Sequence, residues 1–125
     1  MSVIVLKADP GLDFYVGWST EFEAPVWWGS RVDARRNLDE DAERPYGDRT
    51  DPAGRLARAD CNGTSALGGF SFFGHWSDER LTYEQRGCLP RGRLVEACRA
   101  LSRGDEAAVW DLLEPFEEGM VVRRG

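Results

Sequence analysis

The chain has 125 residues, enough for a single globular domain over 1–125 with a proper core. A net charge of −6, from 22 acidic against 16 basic residues, argues against binding a nucleic-acid backbone, and a 42% hydrophobic fraction argues against disorder. The three cysteines, Cys61, Cys88 and Cys98, match no zinc or redox spacing, so three free thiols in a cytoplasmic protein are expected.

Val3-Ile4-Val5-Leu6 is β-branched and continuous, which predicts a strand covered on both faces; it is too short for a signal-peptide core. No run approaches the roughly 20 apolar residues of a membrane span. Asp9-Pro10-Gly11 predicts a turn. Asp13 to Glu23 then alternates, with Phe14, Val16, Trp18, Thr20 and Phe22 on one face, and predicts a second strand in a hairpin with the first. Pro25 is expected to end it.

Ser30 has the character of an N-cap, with Asp33 three residues on, and predicts a surface helix from Arg31 to about Ala42 with a thin stripe of Val32, Ala34 and Leu38. Glu43 to Thr50 reads as a loop. Asp51 and Pro52 open a second helix that Asn62-Gly63 closes. Thr64 to Gly69 is a small-residue connection, Phe70 to Trp76 a predicted strand weakened by Gly74, and Leu81 to Gln85 another short strand.

Pro90 is expected to open a helix running to Arg103, stopped by Gly104. Asp105 caps the next, whose Val109, Leu112, Leu113 and Phe116 keep helical spacing until Pro115 breaks it. Met120-Val121-Val122 reads as an edge strand or a tail. The fold class is α+β: a small, mostly antiparallel sheet with helices packed on one face and a C-terminal αα-hairpin.

Ten of the fourteen aromatic residues fall in two short stretches, one around Trp27-Trp28 and one around Phe72-Phe73. Trp27, Trp28 and Arg31 are the first candidate site. Two indoles precede a helix N-terminus, where free N–H groups attract anions, and a guanidinium stacks on indole or grips a phosphate. The competing role is packing against the new helix. Two adjacent tryptophans on a regular strand point opposite ways, so one of them is expected to be exposed or half-exposed.

Thr64 and Ser65 could donate hydroxyls to a ligand that approaches the small-residue loop, although the P-loop lysine and spacing are missing. Glu84 and Arg86 form a polar pair able to read a ligand from one strand face, or a surface ion pair of little consequence. His75, the only histidine, lies near Asp78 in sequence and could form a general base. No metal spacing is present, and no cofactor is implied.

Five segments carry a resemblance: D-F-Y-V-G-W-S at Asp13–Ser19, E-A-P at Glu23–Pro25, R-L-A-R-A-D at Arg55–Asp60, Y-E-Q-R-G at Tyr83–Gly87 and V-W-D-L-L-E-P-F-E at Val109–Glu117. Together they resemble a group of small proteins of actinobacteria and their phages, over most of the chain from Asp13 onward. Lys7 is the only lysine among the 16 basic residues, as a GC-rich genome would give. The resemblance implies a source and brings no activity, cofactor or catalytic residue.

Three functions fit these observations, in this order. The first is a non-enzymatic accessory protein that binds and sequesters a small polar, possibly nucleotide-like ligand through Trp27, Trp28, Arg31, Thr64, Ser65, Glu84 and Arg86. The second is an inhibitor or accessory protein that binds a host protein through exposed aromatics. The third is a small hydrolase using His75. A pocket lined by these residues favours the first; an exposed aromatic patch favours the second.

Overall fold

The computed structural model describes residues 3–45, 47, 49–67 and 73–116. The chain opens with three antiparallel strands, β1 (Val3–Lys7), β2 (Tyr15–Ser19) and β3 (Ala24–Gly29), paired in the order β1-β2-β3. Helices α1 (Arg31–Glu43) and α2 (Pro52–Asn62) follow. A two-stranded hairpin, β4 (Arg80–Tyr83) with β5 (Gly87–Pro90), leads through a 3₁₀ turn into α3 (Leu94–Ser102) and α4 (Glu106–Leu112). The class is α+β, and α3 and α4 pack together as a C-terminal helical pair.

The predicted β1–β2 hairpin forms, in the register Ile4 opposite Trp18 and Leu6 opposite Val16. Strand pleating sends these four side chains to one face and Val5 and Tyr15 to the other. On the first face, Leu6, Val16 and Trp18 join Leu81 and Leu89 of the second hairpin with Leu94, Cys98, Val109 and Leu112 of α3 and α4. On the second, Val5 and Tyr15 meet Ala34 and Leu38 of α1 with Leu56 and Ala59 of α2. The sheet is therefore covered on both faces, as the continuous apolar run of β1 requires. The helices divide between those faces rather than sharing one.

The helix signals hold where they are local. Ser30 and Asp33 form a complete capping box, and Gly63 closes α2 with φ 87. Asp105 accepts from the Ala108 N–H at 3.1 Å. Asp51 sits at the α2 N-cap position but makes no side-chain cap bond.

Four expectations need correction. First, β2 stops at Ser19: its hydroxyl accepts from the Phe22 N–H at 3.0 Å and its carbonyl from the Glu23 N–H at 2.8 Å, so the chain turns and leaves Phe22 62% exposed. Second, Pro25 ends no strand; it sits within β3, at the sheet edge and beside the register shift at Gly17/Trp18, where a missing N–H is tolerated. Third, Phe73 to Trp76 is turn and irregular chain, while the rest of that predicted strand lies outside the described residues. Fourth, Pro90 ends β5 and α3 begins only at Leu94. The Met120–Val122 segment also lies outside the described residues.

Trp18 is fully buried against Phe73 and Tyr83, with ring centroids 6.1 Å apart in each pair. Trp18→Ala is expected to cost about 3–5 kcal/mol, from lost transfer energy and the cavity left behind. Its buried indole N–H has no hydrogen-bond partner among the described residues, so Trp18→Phe is expected to cost clearly less. Chemical denaturation of both variants checks this; equal losses would mean that ring volume does not set the cost.

None of the three cysteines forms a disulfide: Cys61 is exposed, while Cys88 and Cys98 are buried. Burial pushes the Cys98 thiol up to about 12. The native protein is expected to titrate one fast thiol, Cys61, and the unfolded, unreduced protein three. A fast count above one in the native state would contradict the burial of Cys88 and Cys98.

Candidate functional site

Trp27 and Trp28 occupy successive positions on β3, opposite Gly17 and Val16, and so fall on opposite faces of the sheet. Trp27 joins the core under α1 and α2; Trp28 packs on the larger core. Both are half-buried, and neither is fully exposed. The Trp27 ring lies directly over Gly17, where an added Cβ would come within 2.2 Å of the indole. Glycine is what lets the ring approach the β2 backbone. The Trp28 indole N–H donates to Ser102 Oγ at 2.9 Å and ties β3 to the end of α3.

Arg31 is committed elsewhere than to a ligand. Its guanidinium contacts Asp60 of α2, with Nε to Oδ2 at 3.1 Å and Nη2 to Oδ2 at 2.9 Å. The other Asp60 oxygen accepts from the Tyr15 hydroxyl and lies 3.8 Å from Lys7 Nζ. Asp60 thereby joins β1, β2, α1 and α2 through one carboxylate.

The α1 N-terminus is likewise filled from within the chain. The Arg31 N–H donates to Asp13 Oδ1 at 2.7 Å and the Asp33 N–H to Ser30 Oγ at 3.2 Å. The capping contacts with Ser30 hold the Asp33 carboxyl below its ordinary range, with Arg36 adding to the effect. Two carboxylates thus stand where the dipole would attract an external anion. An open groove of about 500 Å³ runs along α1 past Arg31 and Val32, but its wall contains the ion pair Arg35–Asp39, and Arg36 in that wall pairs with Asp33.

Thr64 and Ser65 are both buried and close the free edge of β1. Ser65 Oγ accepts from the Val5 N–H at 2.8 Å, the Ser65 N–H donates to the Val5 carbonyl at 2.9 Å, and Thr64 bridges Leu6. Their hydroxyls satisfy backbone rather than ligand, and an uncovered edge strand is avoided.

Glu84 and Arg86 are not on a strand face but in the β4–β5 turn, where Arg86 stacks on Trp110 of α4 at 4.6 Å. His75 and Asp78 do not pair through their side chains. His75 Nδ1 accepts from the Ser77 N–H at 3.2 Å, while Asp78 Oδ2 accepts from the Gly74 N–H at 3.0 Å. Among the described residues, no group of three or more His, Cys, Asp and Glu side chains is placed to hold a metal ion.

The sequence-predicted residues therefore spread over five places: the two faces of β3, the start of α1, the edge of β1 and the β4–β5 turn. One enclosed space includes one of them. A cavity of about 220 Å³ lies between β3, α1 and α2, lined by Val3, Val26, Trp27, Asn37, Leu38, Asp41, Arg44 and Arg55. Arg55 is buried, with Nη2 donating to the Val3 carbonyl at 2.6 Å. Arg44 lies 3.8 Å from Asp41 and is 70% exposed. Sequence reasoning missed both arginines: nothing in R-L-A-R-A-D marks Arg55 rather than Arg58 as the buried guanidinium, and Arg44 stands among alternating surface charges at the end of α1.

Compared with known proteins, the chain matches no family model, no curated protein and no solved structure.

Burial, with Asp60 beside it, pushes Tyr15 up to about 12; burial, with Glu84 nearby, does the same for Tyr83. A folded-state pKa above the ordinary 10.0 means that the native protein keeps these protons longer than the unfolded chain. Their contribution to stability is therefore complete below about pH 10 and is lost as the pH rises through about 12. Tyrosinate absorbance should show a late-titrating component that shrinks in Tyr15→Phe and again in Tyr83→Phe. Titration of every tyrosine at its ordinary value in the folded protein would refute both environments.

Proposed function

We propose that the protein is a non-enzymatic binder that sequesters a small anionic ligand in the cavity between β3, α1 and α2. The observation that carries this reading is the lining, which brings the Trp27 indole together with two guanidiniums, Arg44 and Arg55, and a single carboxylate, Asp41. Such a lining suits a ligand with an apolar body and one negative group, since arginine forms charge-assisted, bidentate bonds to carboxylate or phosphate. At about 220 Å³ the space falls below the roughly 300–1,000 Å³ of sites for larger ligands. The ligand is accordingly smaller than a nucleotide. Sequestration in the cytoplasm of an actinobacterial or phage-infected cell is the role that fits such a binder.

The side-chain arrangement around His75 gives the hydrolase reading less support, because its nearest carboxylate in sequence bonds the backbone instead.

Calorimetric titration against inorganic phosphate, small carboxylates and mononucleotides tests the reading. One of the small anions should bind more tightly than millimolar, and the mononucleotides should not. Arg44→Ala should weaken binding about tenfold or more, the range of a lost charge-assisted bond, with little change in melting temperature. If nothing binds below millimolar, the small-ligand reading fails. If a small anion binds Arg44→Ala equally well, the site lies elsewhere.

A further inference from the structure

Glycine and asparagine are the residues that tolerate a left-handed backbone. Among the described residues, the non-glycine positions with positive φ are Glu23, Glu84 and Gln85, at 56°, 46° and 58°. All three sit at two hairpin turns that touch: the Glu84 N–H donates to the Glu23 carbonyl at 3.1 Å. In the β4–β5 turn the Arg86 N–H closes onto the Tyr83 carbonyl at 2.8 Å, with positive φ at both central residues. That is the type I′ pattern, for which Asn-Gly is the favoured pair. Glu84-Gln85 holds the same backbone at a cost that Asn-Gly avoids. Backbone positions held in such sparsely populated conformations cluster at functional sites.

The surroundings indicate what the use is. Phe22, in the β2–β3 turn, is 62% exposed, and Trp110 on α4 is 43% exposed under the Arg86 guanidinium. Exposed aromatics beside an arginine on a rigid support are the composition of a protein-binding hot spot. The two touching turns carry Glu21, Glu23 and Glu84, and Asp111 follows Trp110 on α4, against Arg86. This balance repels phosphate backbones and anionic lipid and attracts lysine and arginine.

We infer that the paired β2–β3 and β4–β5 turns, with Phe22 and Trp110, form a docking surface for a protein partner that presents a cationic patch. The surface is separate from the cavity beside Trp27 and does not depend on a ligand there.

Photocrosslinking in native host cells tests it, with p-benzoylphenylalanine in place of Phe22 and, as a control, in place of Val32, which is 69% exposed on α1. The Phe22 probe should capture one protein that the control does not. That protein, purified, should bind the wild-type chain with an affinity that falls at least tenfold between about 50 and about 300 mM salt. The double variant Glu84→Asn/Gln85→Gly should melt higher than wild type, because its turn chemistry suits the backbone, yet bind the partner at least tenfold more weakly. A merely structural turn would gain stability with no loss of binding, and that result would overturn the proposal. So would capture of nucleic acid, salt-independent binding, or no adduct beyond the control.

Discussion

All five residues of β2 are buried, so each side chain must find a neighbour on whichever face the pleat sends it to. Val16 and Trp18 enter the core built with the second hairpin and the C-terminal helices; Tyr15 enters the core under α1 and α2. Gly17 has no side chain to place, and the Trp27 ring takes up the vacant space. A slip of one residue in this register would exchange the two faces and drive Trp18 into the smaller core under α1 and α2. The bulge at Gly17/Trp18 lets β3 accept Pro25 and still deliver its two tryptophans to opposite faces.

Polar groups buried by this arrangement are held mainly by backbone. Arg91 is a clear case: its guanidinium donates to the carbonyls of Gly74, Lys7 and Gly63 and lies 4.9 Å from the Trp76 ring centroid. Burial pushes it below its ordinary value, partly offset by Asp78 and Asp9. One side chain thus gathers the end of β1, the end of α2 and the turn near His75. A guanidinium suits this role because its planar fork can reach several carbonyls at once. Asp60 does the complementary work on the other side of β1, taking contacts from Lys7, Tyr15 and Arg31. Arg31, singled out as a ligand contact, is thus part of the joint between α1 and α2, and the α1 N-terminus is occupied by Asp13 and Asp33.

Local signals were readable from the residues alone. The Ser30–Asp33 capping box, Pro52 at the start of α2, Gly63 at its end and Asp105 before α4 each involve groups within a few residues, so their chemistry does not depend on the rest of the chain. The alternation through Phe14, Val16 and Trp18 likewise identified a buried strand face, because period two is a property of the extended backbone. It misled at Phe22, since alternation continues on paper after the chain has turned at Ser19. Strand β5 was hidden because Gly87-Cys88-Leu89-Pro90 neither alternates nor carries β-branched residues; it is a strand because it pairs with β4.

The candidate site divides along the same line. Composition and patterning by themselves determined the fold class, the free thiols, the burial of Trp18 and the opposed directions of Trp27 and Trp28, because each follows from bulk balance or from backbone periodicity. Tertiary structure alone decided what the polar side chains do. Ser65 closes a strand edge 60 residues away, Arg31 meets Asp60 across 29 residues, and Arg91 reaches Lys7 across 84. A hydroxyl or guanidinium takes whichever partner the packed chain brings within about 3 Å. That choice is made by the joining of elements far apart in sequence, and the residue itself does not record it.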